Sequence, residues 1–160
     1  MTTDIVDTAA GLPSSSPVAA LRRQREAFVR YSQGSHDVLI TPSDAGGVSL
    51  VERAAAALHV ASIEGDSALV AHYRQRLLET GADVAAIEAM NVAPRLRAIL
   101  RHVSLMTTAP GSATRSDIEA LRDAGLAERD IVVVAQIVAF VSYQIRVVAG
   151  LHALAEETRT

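Results

Sequence analysis

The chain contains no cysteine and no tryptophan, and only 3% of its 160 residues are aromatic. The absence of cysteine excludes disulfides, thiolate metal ligands, iron–sulfur clusters and every cysteine nucleophile. Because aromatic rings are scarce while 49% of the residues are hydrophobic, the core must consist mainly of Ala, Val, Leu and Ile. Such cores suit closely packed helices, since alanine has the highest helix propensity and lets backbones approach.

Neither an excess of basic charge nor a long apolar run is present. The net charge is −3, from 15 Lys and Arg against 18 Asp and Glu, so no basic field attracts nucleic acid or an anionic membrane surface. The most apolar run, Ile131 to Val141, includes Gln136 and is too short to span a membrane. Asp4 stands where a secretory signal would need cations. We therefore expect a cytoplasmic protein that binds neither nucleic acid nor membranes.

Breaker residues predict an N-terminal arm followed by one helical domain. Residues 1–16 contain Gly11, Pro13 and three serines, a composition typical of a flexible, mobile or draped arm. Residues 17–160 are expected to form a single all-α domain, because no period-two alternation beside turn signals indicates a strand. Gly34 and Gly150 are interpreted as helix ends. The predicted helices cover residues 17–33, 50–63, 67–80, 83–90, 94–107, 117–124 and 128–149, with a loop over 35–47.

An internal repeat with an offset of about 44 residues indicates a duplicated module. Leu77, Gly81 and Ile87 recur as Leu121, Gly125 and Ile131, Arg53-Ala54 recurs as Arg97-Ala98, and His59-Val60 recurs as His102-Val103. Two copies favour an internal two-fold helical repeat that packs against itself, since a solenoid needs three or more.

Two stretches resemble the alkylhydroperoxidase D-like (AhpD-like) superfamily, also called the carboxymuconolactone decarboxylase-like or CMD-domain superfamily. The segment from Asp117 to Leu126, continuing to Phe140 and Arg146, is similar to the C-terminal half of its peroxidase-related members. The segment from Ser49 to Gly81 resembles the core, where a glutamate-bearing helix precedes a helix with a Cys-x-x-Cys-x-x-x-His motif. The resemblance implies an all-α, AhpD-like fold and a homo-oligomer, as a dimer, trimer or hexamer.

Matched to that motif, the chain keeps the histidine and lacks both sulfurs. His72 occupies the place of the motif histidine, and the two cysteine positions fall on Gly65 and Ala68. Glu52 lies near the place of the helix glutamate, with the spacing one residue off. A thiolate that attacks peroxide and a second thiol that closes the disulfide are both missing. The resemblance therefore implies the scaffold, His72 and Glu52, without thiol peroxidase activity.

Glu52, His59 and His72 are the candidate catalytic residues. Glu52 and His59 lie seven residues apart on one helix face, and a short turn would fold His72 alongside them. The cluster could form a proton relay or a weak metal site; alternatively, Glu52 is only a capping residue and His59 a hydrogen-bonded or surface histidine. Tyr73 could add a hydroxyl, and Arg146 could hold a carboxylate substrate.

Three functions remain open at this point. The first is a cysteine-less, oligomeric scaffold or small-molecule-binding accessory protein. The second is a non-thiol enzyme acting on a lactone or other small carboxylate, with His72 as general acid or base and Glu52 orienting it. The third is a regulatory dimerisation module. No cofactor or metal is predicted, since phosphate-loop, catalytic-triad and His-Glu-x-x-His patterns are absent, and His36, in the expected loop, carries no signal.

Overall fold

The structure, a computed structural model, describes residues 4–157; residues 1–3 of the predicted arm and 158–160 of the predicted domain lie outside this range. Within it the chain forms nine α-helices and one 3-10 turn, with no strand, which confirms the all-α fold class. The helices are α1 (Ile5–Ala10), α2 (Pro17–Arg23), α3 (Glu26–Ile40), α4 (Leu50–Glu64), α5 (Ser67–Glu79), α6 (Val84–Glu88), α7 (Pro94–Thr108), α8 (Arg115–Asp123) and α9 (Glu128–Glu157), and the 3-10 turn is Pro110–Ser112.

Helix α4 forms the centre of the fold. It begins at a capping box, in which the Ser49 hydroxyl accepts from the Glu52 amide and the Glu52 carboxylate accepts from the Ser49 amide. It ends at Gly65, whose φ of 82° is left-handed. The alanines at 54–57 are at most 2% exposed. Because these side chains are small, α5, α7 and α9 all pack closely against α4.

The two halves of the helical core follow the repeat detected in the sequence. Helix α7 begins and ends 44 residues after α4, and α8 follows it as α5 follows α4. Gly81 and Gly125 both have positive φ, 77° and 88°, directly after the second helix of each half. Only glycine adopts this conformation without a steric penalty from Cβ, which explains why the same residue recurs at both places.

The predicted helix over 17–33 is divided in two, and the predicted loop over 35–47 was wrong for residues 35–40 only. The structure divides this region into α2 and α3, and α3 continues through Gly34 to Ile40. Ser32, His36 and Ile40 are all buried on one side of α3, at the spacing of successive helical turns. A glycine inside a helix costs only about 1 kcal/mol relative to alanine, and the burial of His36 and Ile40 offsets that cost.

The structure has a helix, α1, inside the segment that composition predicted to be an arm. Asp4 caps it, since its side chain accepts from the Asp7 amide at 2.7 Å. Gly11 ends it with a φ of 58°. Ile5 and Val6 are buried, and α1 contacts α3, α5 and α9. Burial of these apolar side chains explains the order of a segment whose composition is otherwise polar.

Helix α9 extends beyond Gly150, where the sequence predicted its end. Leu151 is buried, and the His152 ring donates to the Ala10 carbonyl at 3.0 Å, so α1 gives the last turns of α9 a packing partner. By length and composition α9 could cross a membrane, with a mean hydropathy of 2.0 over its most apolar 18 residues. Yet 56% of that window is buried by the rest of the protein, as in the core helix of a globular fold.

The course of α3 through Gly34 is tested by Gly34→Ala. A Cβ at this position meets no atom within 4 Å, so alanine is expected to raise the free energy of unfolding by about 0.5–1 kcal/mol. Gly65→Ala is the matched control: it also has open space, but its left-handed φ predicts a loss of about 1–2 kcal/mol. Urea unfolding at one fixed protein concentration measures both, and a destabilising Gly34→Ala would show that α3 breaks there.

Candidate functional site

Two histidines from different helices meet at the surface of the core. The Nε2 atoms of His36 on α3 and His72 on α5 are 3.0 Å apart. Nδ1 of His36 lies 3.2 Å from a carboxylate oxygen of Asp37, and since a carboxylate only accepts, this Nδ1 carries a proton. In a neutral His36 ring Nε2 is then the acceptor, so Nε2 of His72 donates to it. The result is a directed chain from His72 through His36 to Asp37.

Neighbouring groups fix the orientation of the hydrogen-bonded His72, His36 and Asp37 side chains. The Gln33 side chain donates to the Asp37 carboxylate at 2.7 Å and accepts from the Ile5 amide at 3.0 Å. Gln33 thus connects the Asp37 carboxylate to the start of α1. The Tyr73 ring meets the His72 ring edge-on, with centroids 4.9 Å apart. His36 is itself buried. The rings are therefore held by packing as well as by hydrogen bonds.

The surroundings favour the neutral form of both rings. Burial, followed by electrostatic repulsion from His36 and Arg76, lowers the pKa of His72 to about 4. Burial also lowers the pKa of His36, against which the Asp37 carboxylate acts by favouring the charged ring. At neutral pH His72 is thus an uncharged imidazole.

The histidine pair lines a pocket of about 300 Å³ between α1, α3 and α5. Thr8, Thr41 and Arg76 complete its polar walls. Nδ1 of His72 has no hydrogen-bond partner among the residues that the structure describes, and it is not one of the fully enclosed unpartnered atoms. This nitrogen presents a free lone pair that can accept a proton or a hydrogen bond from a bound molecule.

Glu52 is committed to structural contacts away from this pocket. Besides the capping box, its carboxylate pairs with Arg95 of α7 at 2.7 Å. The same guanidinium donates to the carbonyls of Gly125 and Gly47, each at 2.7 Å. Glu52 therefore connects the start of α4 to α7 and to two turns, and its oxygens are occupied by these partners.

His59 lies in a different environment again. Its Nε2 is 2.7 Å from the Ser104 hydroxyl of α7, burial lowers its pKa, and it lines a separate pocket with Arg74 and Glu88. Across residues 4–157 the structure joins no two of Glu52, His59 and His72 by a hydrogen bond or an ion pair, and the pockets of His59 and His72 are separate. Nor, within that range, are three His, Asp or Glu side chains arranged to hold a metal ion.

Neither of the two candidate substrate-binding residues, Tyr73 and Arg146, lines the histidine pocket. Tyr73 is completely buried, and its hydroxyl donates a short hydrogen bond to the Gln144 side chain of α9. Burial raises the pKa of this phenol. Tyr73 is therefore a core residue whose ring packs against the rings of His36 and His72. Arg146 is exposed on α9 and forms no ion pair within the described part of the chain.

At the positions matched to the cysteine pair, Gly65 is exposed and ends α4 in the left-handed conformation, and Ala68 is half-buried in the first turn of α5. His72 follows one turn after Ala68 on the same helix. Its ring nitrogen faces His36, a residue that the family motif does not include, and no thiol lies near it because the chain has no cysteine.

The sequence analysis missed His36, Asp37 and Arg76. The first two were assigned to a loop because Gly34 was interpreted as a helix end. The spacing of Ser32, His36 and Ile40 already suggested one continuous helix face. Nothing in the sequence, however, indicated that α3 would bring His36 to His72, since the two are 36 residues apart.

Comparison with known proteins gives one informative similarity. No protein-family model matches the chain, and no curated protein matches it. Among solved structures, an uncharacterized peroxidase-related protein from Silicibacter sp. TM1040 is similar, with a TM-score of 0.71 and 21% sequence identity over 94% of this chain and 93% of that one. At this level of identity the similarity establishes a common fold over nearly the whole chain.

The low pKa of His72 predicts a pH dependence of stability. Because an unfolded histidine titrates near 6.5, the unfolded state binds more protons than the native state between about pH 6.5 and 4. Stability should be constant above this window and fall as the pH drops through it, by at most about 3 kcal/mol from this group. We expect His72→Gln to flatten the decline measured by urea unfolding; an unchanged pH profile would contradict the assignment.

Proposed function

We propose that the protein is a cysteine-less relative of the peroxidase-related helical proteins, without thiol peroxidase activity, that binds a small molecule in the pocket of His36 and His72. The observation that carries this proposal is the pairing of two desolvated imidazoles, 3.0 Å apart, in a pocket whose walls include Arg76 and Asp37. Buried polar groups that face a cavity are typical of ligand sites. The absence of both sulfurs removes the thiolate chemistry of the related enzymes.

A second candidate, acid–base catalysis without sulfur, is favoured by the direction of the hydrogen-bond chain. If a bound substrate gave a proton to Nδ1 of His72, the positive charge would be shared with His36 and stabilised by Asp37. In this arrangement Asp37, through His36, takes the orienting role that the sequence suggested for Glu52. A lactone or other small carboxylate remains the proposed substrate class for that activity.

Two measurements test this proposal: a peroxidase assay and a titration of the pocket with small molecules. With an organic hydroperoxide and a dithiol reductant we expect no turnover above buffer, because no residue can form the thiolate. In the presence of a mixture of small polar fragments, the imidazole resonances of His36 and His72 should shift in a ¹H–¹⁵N spectrum.

The controls use the two other histidine environments. His72→Gln should abolish the fragment-induced shift of His36, whereas His59→Gln, in the separate pocket, should leave it intact. Thiol-dependent turnover would contradict the proposed lack of peroxidase activity. If no fragment shifts the resonances of His36 and His72, the proposed small-molecule pocket is contradicted.

We also propose that the chain forms a homo-oligomer through the outer faces of α3 and α9. Phe28, Tyr31 and Val38 on α3 are 62%, 66% and 68% exposed, an unusual exposure for large apolar side chains. Tyr31 and Val38 line an open groove of about 780 Å³ together with Ala139 and Phe140 of α9. A second copy of this chain would cover this surface, as in the oligomers that the family resemblance implies.

Val38→Glu tests this interface. A carboxylate at the centre of an apolar contact must be desolvated without a partner, so the variant is expected to sediment as a monomer where the unmodified protein is associated. Leu78→Glu is the matched control, because Leu78 is also exposed, at 52%, but lies on α5. If sedimentation velocity finds only monomer for the unmodified protein, or dissociation by both variants, the proposed interface is wrong.

A further inference from the structure

Among residues 4–157, Arg76 is the only Lys or Arg that lines the histidine pocket. Its hydrogen bonding is incomplete. It lies one helical turn after His72 on α5, on the same face. One terminal nitrogen pairs with Glu79 at 2.9 Å. Its other terminal nitrogen, Nη2, has no acceptor among residues 4–157 and is not one of the fully enclosed unpartnered atoms. This N–H donor is therefore open to an oxygen supplied by a ligand.

A second, apolar pocket adjoins the first at Arg76 and Thr41. It also has a volume of about 300 Å³. Its remaining walls are mostly aliphatic and include Ile40, Leu50, Val51 and Ala54. The guanidinium of Arg76 therefore stands between a polar pocket with two histidines and a pocket suited to hydrocarbon.

We infer that the site takes a monocarboxylate with a short hydrocarbon chain: its carboxylate binds Arg76 beside His72, and its chain occupies the apolar pocket. Guanidinium groups recognise carboxylates by paired N–H donors, and the two terminal nitrogens of Arg76 provide such a pair. This inference rests on the proposed function, because it names the class of molecule for the same pocket.

The negative charges near Arg76 do not prevent such binding. The Asp37 carboxylate oxygen nearest the pair already accepts from Gln33 and His36, which reduces its repulsion of an anion. Glu79 engages only one terminal nitrogen of Arg76, and both side chains of that pair are partly exposed, where ion pairs are weak. A ligand carboxylate can therefore replace Glu79 or share the guanidinium with it.

The test is a titration with straight-chain carboxylates from acetate to pentanoate and with the corresponding primary amides, monitored by the imidazole resonances of His72. The carboxylates are expected to shift His72, with affinity rising about threefold to fourfold per methylene as the chain fills the apolar pocket. The amides, which have the same shape without the charge, should bind at least tenfold more weakly.

Variants of α5 separate the charge from the shape of the pocket. Arg76→Gln should lose at least tenfold in carboxylate affinity, whereas Arg74→Gln, on the exposed side of the same helix and paired with Glu88, should not. Glu79→Gln should tighten binding. Equal binding of acids and amides, or an unaffected Arg76→Gln, would overturn the inference while leaving a small-molecule pocket in place; no response of His72 to any probe would overturn both.

Discussion

Close packing around α4 is the constraint on which the rest of the structure depends. Its alanines at 54–57 and at Ala61 are almost fully buried, and they let α5, α7 and α9 approach at once. A larger side chain at any of these places would push one neighbour outward, since cores have no spare volume. The position of α5, and with it His72, follows from this packing.

The histidine pair depends on elements that lie outside that central bundle. Helix α1 is held by α9, the Ile5 amide holds Gln33, and Gln33 holds Asp37 beside His36. Each contact orients the next one, so the protonation pattern of the two rings is set by hydrogen bonds from three helices. The pocket is thus assembled from distant parts of the chain and is not carried by one local motif.

Glu52 and His59, two of the candidate catalytic residues, contact neighbouring helices instead of the histidine pocket. Glu52 remains at the start of α4, where its capping box and the Arg95 ion pair stabilise the helix terminus. His59 remains on the same helix and connects it to α7 through Ser104. Both side chains therefore form contacts between helices.

Local chemistry was sufficient to predict much of the fold from the sequence. The Ser49 cap and the glycines after α5 and α8 are short-range signals, and the helices begin or end beside them, close to the predicted bounds. The sequence also determined that the chain has no cysteine thiol, since no fold can supply a side chain that the sequence lacks. Only the tertiary structure decided that α3 continues past Gly34 and that His36 meets His72, because both outcomes depend on burial between segments far apart in the chain, which no local pattern records.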